Sequence, residues 1–247
     1  MSTTAPTGGW RERLRRAPDE VLRTYLVTDT ALCGDRGVVA VVQQAVAGGA
    51  RCVQVRDKHA APAALAQLVR AVVAAVGRDV PVLVDDDVEV AVACGAAGAH
   101  VGQDDLDPAR ARALLGPDRL LGVSAGTAEQ VRAAADHRTD DGAPLVDYLG
   151  LGPVWGTPTK PDAVSALGVD GLAALVREAR RAGLPAVAIG GIDAERAPRV
   201  RATGVDGLCV VRALCAAPDP RAAAAALDAA APSAAAPSAA VPAGTLR

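Results

Sequence analysis

Acidic and basic side chains gather at the ends of short apolar runs in this chain. Val82-Leu83-Val84 leads straight into Asp85, Asp86 and Asp87, and His100-Val101-Gly102-Gln103 into Asp104 and Asp105. Carboxylates crowded at strand ends repel one another unless a cation sits between them. Hard oxygen ligands in this arrangement suit Mg²⁺, which takes one or two protein carboxylates and fills its shell with water and substrate phosphate. Either cluster alone would serve equally as a solvated turn, where Asp is common. A third run, Cys52-Val53-Gln54-Val55-Arg56-Asp57-Lys58, alternates so that Gln54, Arg56 and Lys58 share one side and two cations converge. Further polar groups close other apolar runs: Ser124, the segment Thr157-Pro158-Thr159-Lys160, the pair Gly190-Gly191, and Arg212 after Val211.

Elements must position these groups, and the chain reads as an alternation. Strands are expected at Thr24 to Asp29, Cys52 to Arg56, Val80 to Val84, Gly98 to Val101, Leu120 to Ser124, Asp147 to Leu151, Pro185 to Ile189 and Gly207 to Val211. Helical patterns follow each strand. They run from Val38 to Ala47, Pro62 to Val76 and Val88 to Cys94. The next opens at Asp107-Pro108, an acid cap with Pro at the first turn. Thr127 caps another, with Gln130 placed for a capping box. The last three span Val169 to Ala182, start at Asp193, and span Asp219 to Ala230. Short apolar strands separated by helices imply parallel pairing. Eight such units in 247 residues fit a single-domain α/β fold, the (β/α)₈ TIM barrel, better than a doubly wound sheet. A dinucleotide-binding sheet would want a glycine fingerprint after the first strand, and Asp29 to Gly37 lacks it. Residues 1–20 read as a loose arm or a short first helix, 21–230 as the barrel, and 231–247 as a disordered Ala/Pro-rich tail.

Composition narrows the class. Half the residues are hydrophobic, mostly Ala and Val, with two Trp, two Tyr and no Phe. A core of small branched aliphatics suits buried parallel strands packed on Ala-rich helices. The formal charge of −2 points to neither a nucleic-acid partner nor a membrane surface. Five scattered cysteines without a CxxC pair read as reduced thiols in a cytoplasmic protein. There is no apolar secretory segment after Met1 and no run fit to span a membrane. The histidines His59, His100 and His137 have no metal-ligand spacing, and His100 reads as packed on its strand. No Ser-His-Asp order and no strand lysine placed for a Schiff base is present. A homo-oligomer is compatible with the sequence, which does not specify one.

Barrel active sites lie at the carboxyl ends of the strands. One rim would then carry Arg56, Lys58 and Lys160 as cations, Asp86 and Asp105 as anions, and two Gly-containing turns, with a phosphate cradle expected after strands seven and eight. Arg, Lys and Mg²⁺ together clamp a diphosphate, and backbone N–H groups at glycine turns cradle a phosphate. Two phosphorylated ligands are expected.

Taken in order, Gln54-Val55-Arg56-Asp57-Lys58, Val84-Asp85-Asp86-Asp87, His100-Val101-Gly102-Gln103-Asp104-Asp105, Gly122-Val123-Ser124, Gly150-Leu151-Gly152-Pro153-Val154, Thr157-Pro158-Thr159-Lys160 and Ile189-Gly190-Gly191-Ile192 resemble the thiamine-phosphate synthase family over roughly residues 22 to 228. The resemblance implies coupling of 4-amino-2-methyl-5-pyrimidinylmethyl diphosphate to 4-methyl-5-(2-phosphoethyl)thiazole with release of diphosphate. It implies that Gln54, Arg56 and Lys58 line the pyrimidine diphosphate site, with Val55, Asp57 and Asp85 among the substrate-binding residues. Asp86 and Asp105 would bind Mg²⁺, and Ser124 and Lys160 would touch the pyrimidine or its diphosphate. Thr157, Thr159, Gly191 and the turn at Val211-Arg212 would hold the thiazole phosphate, with Pro158 as a further substrate-binding residue. Arg56, Lys58, Ser124 and Lys160 would carry the catalysis.

Three positions depart from the family pattern. Asp85 stands where the family usually has Asn, Gly126 where it often has His, and Arg212 where it often has Ser. An ionised Asp85 accepts hydrogen bonds but cannot donate them. Gly126, with both metal acids retained, argues against the related thiazole tautomerase, which uses a His there. A non-catalytic barrel that binds thiamine precursors is the other reading that Asp85 keeps open. A sugar-phosphate epimerase would need paired acid/base groups facing one carbon, and the rim supplies them only awkwardly.

Overall fold

The computed structural model describes residues 9–139, 142–156 and 166–232. All eight apolar runs become short strands: β1 (Thr24–Val27), β2 (Cys52–Val55), β3 (Val82–Asp85), β4 (Gly98–Val101), β5 (Leu120–Ala125), β6 (Tyr148–Leu151), β7 (Ala186–Ile189) and β8 (Gly207–Val210). Each pairs in parallel with the next, and β8 returns to β1, closing the barrel. The strands start and stop within two residues of the expected limits. Closure removes both sheet edges, and helices cover the outside, so both strand faces are apolar.

Among the described residues, twelve α-helices surround this barrel, against eight expected. In chain order they are α1 (Trp10–Arg16), α2 (Pro18–Leu22), α3 (Thr30–Cys33), α4 (Gly37–Ala47), α5 (Pro62–Val76), α6 (Val88–Ala93), α7 (Pro108–Leu115), α8 (Ala128–Asp136), α9 (Gly168–Arg181), α10 (Ala197–Arg201), α11 (Arg212–Cys215) and α12 (Pro220–Ala229). The four beyond those eight, α1, α2, α3 and α11, are only four to seven residues long, and α1 is the short first helix that residues 1–20 allowed. Side-chain caps start several of the others: Asp87 on α6, Asp107 on α7, Thr127 on α8 and Asp219 on α12. Thr127 Oγ1 accepts from Gln130 N as in a capping box, but the Gln130 side chain reaches one residue further back, accepting from Gly126 N at 2.7 Å. Asp193 accepts from Arg196 N in a turn, and the helix proper begins only at Ala197.

Period-two alternation divides the apolar residues between two cores. Leu26, Val53, Val55, Val84, Val101, Leu121, Leu149 and Leu208 point outward to the helices. Tyr25, Cys52, Leu83, Leu120, Tyr148, Val187 and Cys209 fill the barrel interior, joined from below by Leu14, Val21 and Leu22 of α1 and α2. The expected arm is therefore a plug that seals the amino-terminal end of the barrel. A buried ion cluster fastens it, with Asp147 held between Arg11 Nε and Arg112 Nη2 at 2.6 Å each. Space inside is tight: a Cβ on Gly122 would stand 2.2 Å from the Tyr148 ring and 2.4 Å from His100 Nδ1. The open carboxyl-terminal end carries the polar residues.

Candidate active site

The inward parity continues to the rim and turns polar there. Above Cys52 comes Gln54, above Leu83 comes Asp85, and above Leu120 and Gly122 comes Ser124. His100 stands in the same layer on β4, in register with Asp85 on one side and Gly122 on the other. Beyond the strands, the chain after β2 sends Arg56 and Lys58 over the β3 carboxylates. Arg56 Nε lies 3.2 Å and Lys58 Nζ 3.7 Å from Asp85 Oδ2, and Lys58 Nζ also pairs with Asp86 Oδ2. The structure thus brings Gln54, Arg56, Lys58, Asp85, Asp86 and Ser124 to one rim, and places Asp105 beside Asp86.

The electrostatics of the cluster follow from its crowding. Burial pushes the Asp85 carboxyl up to about 6, and the Asp86 charge adds to this, while Lys58 and Arg56 pull the other way. Burial raises Asp86 as well, followed by its hydrogen bond with Asp105. Asp86 adopts φ +59, left-handed backbone that only Gly, Asn and Asp enter readily. It is held there by its N–H, which donates to the His100 carbonyl at 2.8 Å. Asp105 is aimed by the Gly102 N–H, which donates to Oδ2 at 2.7 Å. For Lys58, burial would lower the pKa, but the Asp86 hydrogen bond and the surrounding carboxylates raise it on balance, so the ammonium stays charged.

These acids fit a divalent cation. Asp86 and Asp105 are in hydrogen-bonding contact, and burial together with that contact disfavours the charged form of Asp86, so a positive charge between the two would relieve it. Among the described residues no group of three or more His, Cys, Asp or Glu gathers to hold a metal alone. An ion here would draw much of its shell from substrate and water, the habit of Mg²⁺.

Other expected residues stand apart from this rim. The Val55 side chain faces the outer core and is fully buried. The Asp57 carboxylate is spent on α3 and on its own loop, accepting from Thr30 Oγ1 at 2.7 Å and from the N–H groups of His59 and Ala60. Gly190 and Gly191 take φ +106 and +65 after β7. The β6 loop presses on them: Trp155 N donates to Gly190 O, and a Cβ on Gly191 would meet Trp155 Cβ at 2.9 Å. Arg196 folds over this turn, donating to Gly191 O at 2.6 Å and lying 4.9 Å above the Trp155 ring. Val211 and Arg212 follow β8, next to that turn around the barrel. Thr157, Pro158, Thr159 and Lys160 lie outside the described residues.

Sequence reasoning passed over Tyr25 and Tyr148. Both are fully buried in the barrel, and they link two rim residues. Gln54 Nε2 donates to Tyr25 Oη at 3.0 Å, and Tyr25 Oη lies 2.9 Å from Tyr148 Oη. Tyr148 Oη lies 3.0 Å from His100 Nδ1, and His100 Nε2 3.0 Å from Ser124 Oγ. Strand parity could have found them, because each is an even number of residues from an inward neighbour.

Comparison with known proteins agrees with the geometry. The family model described as thiamine monophosphate synthase matches residues 24–214. A thiamine-phosphate synthase of Azorhizobium caulinodans is 46% identical over 207 residues, 83% of this chain and 93% of the relative. One from Psychrobacter is 43% identical over 205 residues, again 83% of this chain and 93% of the relative. Among solved structures, a thiamine phosphate pyrophosphorylase from Pyrococcus furiosus superposes with a TM-score of 0.73 at 32% identity, covering 85% of this chain and 95% of the other. A matching order of motifs, a closed eight-stranded barrel and relatives of this similarity lead to one assignment: the chain belongs to the thiamine monophosphate synthase family, and it is a transferase of thiamine biosynthesis.

Proposed function

We propose that the rim joins 4-amino-2-methyl-5-pyrimidinylmethyl diphosphate to 4-methyl-5-(2-phosphoethyl)thiazole and releases diphosphate. The observation that carries this is the convergence of Arg56 and Lys58 on Asp85, Asp86 and Asp105 at one mouth of the barrel. The bond that breaks joins the pyrimidine methylene carbon to a diphosphate oxygen, and the bond that forms joins that carbon to the thiazole nitrogen. The nitrogen already has a lone pair, so no base is needed for attack. The electron-rich aminopyrimidine stabilises the methylene cation, and the departing oxygens need their charge neutralised.

Arg56 and Lys58 supply that neutralisation, with Lys160 as a third cation from the loop after β6. Asp85 and Asp86 hold the first two side chains over the mouth before substrate arrives. Gln54 and Ser124 hold the aminopyrimidine from below, where the barrel interior excludes water. Asp86 and Asp105 would hold Mg²⁺, which supplies further charge neutralisation on the diphosphate. Gly191, Val211 and Arg212, with Thr157, Pro158 and Thr159, take the thiazole phosphate, and this places the nitrogen next to the methylene carbon. Arg212 adds a cation to that phosphate. Asp85 accepts from the exocyclic amine in place of an amide.

A cytoplasmic setting goes with this reading: the cysteines are unpaired thiols, and no helix among the described residues is long and apolar enough to cross a membrane.

The test is diphosphate release by purified protein given both substrates, with Mg²⁺ and with chelator. Release that requires both substrates and the metal is expected. Tight binding of either substrate without release would overturn the catalytic reading and point to Asp85 as the disabling change.

A further inference from the structure

The proposed roles of Gln54 and Ser124 leave unexplained why two tyrosines and a histidine fill the barrel beneath them. The five polar groups form one unbroken chain, Gln54–Tyr25–Tyr148–His100–Ser124, with each link between 2.9 and 3.0 Å. A phenol has one proton to give. Burial holds both phenols well above the ordinary tyrosine pKa, so both keep that proton. Tyr25 Oη accepts from Gln54, and of the two acceptors within its reach, the Cys52 thiol and Tyr148 Oη, the phenol oxygen is the stronger, so Tyr25 donates to Tyr148. Tyr148 must donate to His100 Nδ1, which therefore carries no proton. The His100 proton sits on Nε2 and goes to Ser124 Oγ. Ser124 makes no other side-chain hydrogen bond among the described residues, so its own hydroxyl proton remains for the pocket. At the other end, Gln54 has committed its amide nitrogen to the chain and turns its carbonyl oxygen outward.

We infer that Tyr25, Tyr148 and His100 are positioning residues that fix hydrogen-bond polarity across the barrel mouth, holding Gln54 as an acceptor and Ser124 as a donor toward the aminopyrimidine. This rests on the reading that Gln54 and Ser124 face that substrate. An aminopyrimidine offers the matching pair, an amine that donates and ring nitrogens that accept. A ligand of similar shape with the opposite pattern leaves a buried donor facing a donor, and such a mismatch is costly. The tight fit of Gly122 against both the Tyr148 ring and His100 Nδ1 keeps the two rings from swinging out of line.

Nitrogen-15 spectra of the histidine rings, in a chain with only three histidines, read the tautomer directly. The ligand-free protein should show His100 protonated on Nε2. Tyr148→Phe and Tyr25→Phe, each confirmed folded by melting, should turn that signal into a mixture of tautomers. The second measurement is calorimetric binding of the pyrimidine diphosphate to Gln54→Ala, Ser124→Ala and the double variant. In the wild-type background the product of the two single losses should exceed the double-variant loss about threefold or more, because either change already frees the other end. In the Tyr148→Phe background the two losses should multiply independently. A His100 proton on Nδ1, or a tautomer indifferent to both phenylalanine variants, overturns the chain. Independent losses in the wild-type background overturn its role in binding. Single variants that bind as tightly as wild type overturn the substrate reading instead, and the spectra then show whether the chain stands without it.

Discussion

Asp85 offers a quantitative test, because opposed forces act on one carboxyl. Two ion pairs, to Arg56 at 3.2 Å and Lys58 at 3.7 Å, favour the charged form. Burial and the neighbouring Asp86 disfavour it, and they win, holding the group at about 6. An ordinary aspartyl group titrates near 3.9, so the difference is worth at most about 3 kcal/mol, and Asp86 shares part of it. The sign follows from linkage. The native state binds this proton more tightly than the unfolded state, so the stabilisation is fully present below about pH 4 and is lost as pH rises through about 6. Asp85→Asn has no proton to lose. At pH 4 the variant and the wild type should be close in stability. By pH 7.5 the variant should have gained about 1–3 kcal/mol relative to wild type. Urea unfolding of both proteins from pH 4 to 7.5, at fixed ionic strength and with chelator, measures the difference and cancels the other acids. Parallel curves would refute the reasoning. A variant that loses ground as pH rises would show that the ion pairs outweigh burial.

Three further outcomes follow from the same geometry. Asp86→Asn, a residue that tolerates φ +59, should melt in chelator at or above the wild-type temperature, because a like charge has gone, yet release diphosphate at least about 100-fold more slowly with Mg²⁺; full activity would sink the metal assignment. Gly122→Ala should destabilise by about 3 kcal/mol or prevent folding, since its methyl would overlap the Tyr148 ring and His100; a wild-type melting curve would contradict the tight interior. Asp147→Ala leaves Arg112 buried without its carboxylate partner and should cost about 3–5 kcal/mol by denaturant unfolding; a loss below about 1 kcal/mol would show the clamp to be ornamental.

Much of the site was legible before the fold was known. Gln54, Arg56 and Lys58 alternate, Asp85 and Asp86 close an apolar run, and a barrel puts such ends together. Strand parity also carried the outward fate of Val55, although the motif it belongs to drew attention to it as a contact. Asp57 shows where type and position mislead. A carboxylate two residues past a strand end looks available, yet the turn that begins there needs an acceptor for the His59 and Ala60 N–H groups. The glycines at 190 and 191 have a packing cause as well as a phosphate one, because the β6 loop crosses them too closely for side chains.

Eight alternating apolar runs, their parity and their polar ends are local properties of the chain, and they were enough to name a barrel and one functional rim. Pairings distant in sequence were not. The amino-terminal segment plugs the barrel because Leu14, Val21 and Leu22 find an apolar opening that exists only once β8 has closed on β1. Arg11 meets Asp147 across more than a hundred residues. The hydrogen-bonded line from Gln54 to Ser124 joins β2, β1, β6, β4 and β5, strands that are not all neighbours in the sheet and meet only through the interior. Periodicity reports which face a side chain takes, and closure decides what it faces there.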